Sequence, residues 1–296
     1  MPTIDLMGVS YAYELTPPTP SPDVLVFIHG WLLSRHYWRG LMQQLSADYQ
    51  CLAYDLRGFG ESQLHQGQLH QGIDEVIPLS SYSLASYAKD LGQLLEQLNL
   101  TNVWLVGHSL GGSIALWGAQ QLPEQVKGVI CVNAGGGIYL KEEFERFRAA
   151  GQQIVKLRPK WLSQIPFLEL AFLRAGTARS LSRHWARQRL VDFVAAHPDA
   201  ALGALLESTT EVEVHRLPQI VSQLKQPVYF ITGTQDSIME PQYVKHLASF
   251  HALFGECGNN VFEIPDCGHL AMVEQPNEVA TMIRSILTKS CLGHSV

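Results

Sequence analysis

The chain carries no lysine or arginine before Arg35. It therefore lacks the basic opening of a secretory leader, and none is expected. No apolar run approaches the ~18 residues that a membrane-spanning helix needs. Charge is also sparse: 16% of the 296 residues are Asp, Glu, Lys or Arg while 46% are hydrophobic, so the chain is able to bury a large core. The formal net charge of −6 argues against general nucleic-acid binding. Cysteine is scarce as well. Cys51, Cys131, Cys257, Cys267 and Cys291 make an odd number, and none forms a C-x-x-C pair. Reduced thiols in a cytoplasmic setting are the simpler reading.

What the chain does have is a series of short, continuous apolar runs. Val24–Ile28, Cys51–Tyr54, Val103–Val106, Val126–Val132, Val228–Thr232 and Val261–Ile264 all read as strands buried on both faces. Thr3–Leu15 adds one or two more. Helical patterns at Ser83–Leu98, Leu110–Leu122, Pro241–Phe254 and Asn277–Thr288 fall between them. This alternation predicts an α/β fold, a mostly parallel sheet with helices on both faces.

The alternation breaks between Ile138 and Arg216, which shows helical patterns and no convincing strand. Residues 138–215 are expected to form a helical cap over the carboxyl edge of the sheet, where open α/β sheets bind ligands. Residues 1–137 and 216–296 are expected to form the core. A tandem Gln-Leu-His-Gln-Gly repeat, Gln63–Gly72, reads as a lengthened surface loop. Its His65 and His70 are of a type that binds metal, but no third ligand is apparent in the sequence, and a solvated loop is the expectation.

Gly107-His108-Ser109-Leu110-Gly111 fits G-x-S-x-G between a predicted strand and a predicted helix. A sharp turn there lifts a serine hydroxyl above the sheet, and Gly107, Gly111 and Gly112 leave room for it. The helix start below supplies unpaired N–H groups. Serine is a poor nucleophile without a base. His269, in Asp266-Cys267-Gly268-His269 just after a strand, is the candidate; His108 should point elsewhere. Asp236, after Val228–Thr232, is the candidate acid, with Glu240 and Asp266 as rivals. The backbone N–H groups of Trp31 and Leu110 are the candidate oxyanion donors.

Together His29-Gly30-Trp31, Asp55-Leu56-Arg57-Gly58-Phe59-Gly60-Glu61-Ser62, Gly107-His108-Ser109-Leu110-Gly111-Gly112, Asp236 and Gly268-His269 resemble the α/β-hydrolase family. The similar branch holds carboxylesterases, lipases and C–C bond hydrolases. The resemblance implies an eight-stranded-type sheet, a covalent acyl-serine, no metal and no cofactor. It makes the segment around Asp55 and Arg57 structural. Cleavage of a carboxylic ester, of a lipid among others, leads the readings it allows. Thioester or C–C bond hydrolysis, acyl transfer to another acceptor, and a ligand receptor on this fold remain open.

The cap is chemically uneven. Ten basic residues lie between Arg146 and Arg189 against one acid, Glu169, with tryptophans and phenylalanines interleaved. One reading is a packed cap with solvated arginines. The other is peripheral contact with an anionic membrane surface or an acidic acyl donor.

Overall fold

Val24-Leu25-Val26-Phe27-Ile28 contains no polar side chain, and all five residues are buried in strand β3 (Val24–Ile28) of the computed structural model. The structure describes residues 2–62, 79–135, 141–255 and 258–293; the Gln63–Gly72 repeat lies outside them. Successive side chains of β3 enter opposite cores, as a period of two requires. Val24, Val26 and Ile28 join one apolar cluster, and Leu25 and Phe27 the other. Each fully buried side chain of this size contributes about 1.5–3 kcal/mol.

The other strands are β1 (Thr3–Leu6), β2 (Val9–Leu15), β4 (Gln50–Tyr54), β5 (Val103–His108), β6 (Val126–Val132), β7 (Val228–Gly233) and β8 (Val261–Ile264). They form one eight-stranded sheet in the order β1-β2-β4-β3-β5-β6-β7-β8. β1 and β2 pair antiparallel, as do β2 and β4; the pairs from β4 onward are parallel.

One face is covered by α2 (Leu84–Gln97), α3 (Leu110–Gln121), α7 (Glu211–Gln223) and α8 (Pro241–Ala248), whose apolar sides fill the first cluster. Ser83 starts α2 by accepting a hydrogen bond from the Ser86 N–H at 3.2 Å, a cap that satisfies one orphan donor. The other face is covered by α1 (Arg39–Leu45), α9 (Ala271–Glu274) and α10 (Pro276–Gly293).

One helical expectation needs adjustment. The pattern over Pro241–Phe254 is two pieces, α8 and a 3-10 turn at Ala252–Phe254. The helix breaks before the buried His251, which caps the turn: its Nδ1 accepts the Leu253 N–H. A 3-10 turn at Arg35–Trp38 leads into α1, a helix that was not among the sequence expectations.

Between β6 and β7 the described residues contain no strand. They form α4 (Lys141–Lys156), two 3-10 turns at Lys160–Gln164 and Leu168–Phe172, α5 (Arg183–Ala195), α6 (Pro198–Ser208) and then α7, which returns to the core. Three of the ten basic residues between Arg146 and Arg189 point inward. Arg148 donates to the carbonyls of Leu206 and Thr209, Arg158 to those of Phe193 and Ala196, and Arg189 to that of Phe172. They bind the insert's own helix ends together.

Candidate active site

Strand β5 ends at His108, and Ser109 turns the chain into α3 with φ 52° and ψ −118°. A non-glycine residue held there stores strain, on the order of 1–3 kcal/mol. The turn is possible because its neighbours have no side chains. A Cβ on Gly107 would strike the backbone of Gly111, and one on Gly111 would strike the carbonyl of Ile28. Leu110 is the first residue of α3, so its N–H has no acceptor within the helix.

His269 and Asp236 come from the loops after β8 and β7. The His269 Nδ1–H donates to Asp236 Oδ2 at 2.8 Å, which leaves Nε2 with its lone pair. Asp236 is buried and fully engaged. Its Oδ1 accepts the backbone N–H groups of Ile238 and Met239, both at 2.9 Å, and its Oδ2 also accepts the Asn133 amide at 2.8 Å. Burial alone would push this carboxyl up. The adjacent His269 and the N–H groups of Met239 and Ile238 outweigh it, and the net shift is downward. Glu240 and Asp266 are placed otherwise. Glu240 takes the Gln242 amide at the start of α8, and the exposed Asp266 takes that of Gln235.

The loop bearing His269 is held on several sides. Its own N–H donates to the Gly176 carbonyl of the insert at 2.9 Å. Glu274 Oε2 accepts the N–H groups of Gly268, Ala178 and Arg179, and Oε1 accepts that of Leu270. His108 does not diverge from the site. It is buried with its ring 4.8 Å from that of His269, and its Nε2–H donates to the His269 carbonyl at 2.8 Å. Burial, with His269 beside it, pushes its imidazole down to about 3, so it is a neutral brace.

The loop after β3 is fixed by His29, whose Nδ1–H donates to the Gly30 carbonyl while Nε2 accepts the Leu56 N–H at 2.9 Å. Burial pushes this imidazole down to about 4, which keeps Nε2 an acceptor. Leu32 takes the left-handed conformation at φ 56° and lines the same cavity as Ser109. Trp31 both lines the cavity and donates its indole N–H to the Ala201 carbonyl of α6 at 2.8 Å. Beneath, Arg35 is fully buried against Asp55 and also pairs with Glu61.

Ser109, His269, Trp31 and Leu110 face one cavity of about 400 Å³. Most of its wall is apolar, including Phe147, Ile154, Phe172, Phe193, Leu205 and Met239. Asn133 and Glu274 were not singled out from the sequence. The signal for Asn133 was faint: an Asn just past a strand end, before Ala134-Gly135, where φ is +49°.

The sequence pattern of the α/β-hydrolase fold family matches residues 23–276. The chain is 30% identical over 269 residues to a 2-succinyl-6-hydroxy-2,4-cyclohexadiene-1-carboxylate synthase from Escherichia coli O1:K1 / APEC, covering 90% of this chain and 95% of that protein. Among solved structures it is similar to a thermophilic esterase from Thermogutta terrifontis, with TM-score 0.70, 22% identity and 97% of each chain covered. It is also similar to a carboxylesterase structure from Nitrososphaera gargenis, with TM-score 0.75, 20% identity, and 99% of this chain and 100% of that one covered. With the sheet order, the elbow at Ser109 and the match over residues 23–276, this chain belongs to the α/β-hydrolase fold family.

Proposed function

We propose that the protein is a serine hydrolase cleaving a carboxylic ester whose acyl part is mainly apolar. The observation that carries this is the shared cavity. Ser109, strained at its elbow, and His269, held by the buried Asp236, face the same apolar space. In this reading Ser109 Oγ attacks the ester carbonyl carbon and its proton passes to His269 Nε2. The negative charge on the carbonyl oxygen meets the N–H groups of Trp31 and Leu110. Collapse of the adduct releases the alcohol, which takes the proton from His269. Water, deprotonated by the same imidazole, then frees the acid and restores Ser109.

A second reading follows the curated relatives, whose named product carries a succinyl group and a carboxylate. The 30% identity across nearly the whole of both chains favours it. The cavity favours the first. Among the described residues lining it the one Arg or Lys is Arg189, already donating to the Phe172 carbonyl, whereas a ligand with several carboxylates calls for several cations.

Nitrophenyl esters from acetate to octanoate, with a hemisuccinate ester beside them, separate the two. Turnover rising with chain length, lost in Ser109→Ala, and a fluorophosphonate label on Ser109 alone are expected. No turnover and no label on folded protein would remove the hydrolase reading. A preference for the hemisuccinate would favour the second.

A further inference from the structure

We propose that the outer surface of the insert, built from residues 154–170 and the exposed side of α5, docks on an anionic lipid bilayer. This goes beyond the hydrolase reading and does not depend on it.

Large apolar side chains are exposed here in close succession: Leu157 is 72% exposed, Trp161 58% and Phe167 63%, with Leu170 also exposed. Phe167 is the most telling. It adopts the left-handed conformation, φ 63° and ψ 4°, which a bulky residue avoids. Strain of this kind is usually offset by burial, yet the ring is left in solvent beside the Arg183 guanidinium, 5.5 Å away.

The charge on this surface is single-signed. Arg158 and Arg189 bond to carbonyls of the insert, but Lys156, Arg183 and Arg187 are exposed. Glu169, the one acid between Arg146 and Arg189, is buried and paired with Arg183. The surface is thus basic in a chain of net charge −6. Arg183, Arg187 and the exposed Val191 lie four residues apart and share one side of α5. α5 packs against both 3-10 turns, so its basic side adjoins the apolar stretch.

Separate aromatic and aliphatic side chains set among long cations match a bilayer interface, where rings enter the headgroup layer and cations meet lipid phosphates. A protein partner calls instead for a contiguous apolar centre with a polar rim. Among the described residues no helix is long and apolar enough to cross a membrane, and the contact proposed is peripheral. Ile154 is both exposed and part of the cavity wall, so the apolar surface continues to the mouth of the site.

The test is sedimentation of the full chain with vesicles of phosphatidylcholine alone and of phosphatidylcholine with phosphatidylglycerol. Binding is expected to the anionic vesicles, weakening as salt rises, with little to the neutral ones. The double variant Arg183→Gln, Arg187→Gln should bind anionic vesicles about tenfold less well or weaker still. The double variant Trp161→Ser, Phe167→Asn should lose the binding that survives raised salt. Melting curves matching the parent show that both remain folded; none of these four side chains lines the cavity. Equal binding to both vesicle types, no binding, or binding unchanged in both variants would overturn the proposal. So would a dimer in solution that the same substitutions dissociate, which would give this surface to a second copy of the chain.

Discussion

The side-chain amide of Asn133 donates at 2.8 Å to the oxygen of Asp236 that also receives the Nδ1–H of His269. The same amide lies 3.2 Å from the Gly268 carbonyl. One residue at the end of β6 therefore ties together the loops after β7 and β8. Asn133→Gly keeps a backbone able to hold φ +49° and removes the amide. We expect kcat on a short ester to fall about tenfold, roughly 1.4 kcal/mol, with KM little changed. An unchanged kcat would make Asn133 a spacer only.

Asp236→Asn should be far more damaging. An amide in place of the carboxylate favours the wrong imidazole tautomer, and kcat should fall by about 10⁴ in a protein that still folds. Glu240→Gln and Asp266→Asn, whose carboxylates serve other partners, should each cost less than about tenfold. Steady-state kinetics on all three variants distinguishes them.

Glu274→Gln should loosen two segments at once. A carboxylate offers acceptors only, and Glu274 serves four N–H groups with its two oxygens. The glutamine amide brings an N–H₂ against some of those donors. A loss of about 1–3 kcal/mol is expected. Amide exchange should quicken both at Gly268–Leu270 and at Ala178–Arg179. Faster exchange in only one of the two would show that Glu274 does not link them.

Asp192 predicts a pH dependence of stability. It lies buried in α5, accepting from the Ser34 hydroxyl of the core and the Gln188 amide, with Tyr37 and Asp55 close by. Burial pushes its carboxyl up to about 7. At pH below about 4 the group is protonated in both folded and unfolded chains. Between there and about 7 the folded chain alone keeps the proton, so this group's contribution to stability falls as pH rises. Asp192→Asn removes the titration. The melting temperature of the variant relative to the parent should rise across that interval and level off above it. A difference independent of pH would show that Asp192 ionises normally.

The parallel strands were legible because they are covered on both faces, which forces continuous runs such as Val24–Ile28 and Val126–Val132. Ser109 was legible because its strained turn needs glycines at fixed offsets, and His269 and Asp236 because each follows a recognisable strand. Asn133 and Glu274 act by reaching back across the fold, and nothing in their local sequence shows where a side chain will reach. The stretch Arg35–Leu45 hid its helix behind a 3-10 opening and Gly40. The charge of the insert misled in part. Composition counts Arg148, Arg158 and Arg189 with the rest, whereas the structure turns them inward to carbonyls.

The bond from the His269 N–H to the Gly176 carbonyl, with Glu274 reaching Ala178 and Arg179, also limits how the insert can be exchanged. The chain leaves the core after β6 and returns to it through α7, so the insert has the outline of a module that could be exchanged for another. Yet a donor segment would have to bring one carbonyl and two N–H groups to the same three points, or the histidine loop would lose that support. Residues 176–179 therefore belong with the core in any chimera, and grafts should cross over on either side of them.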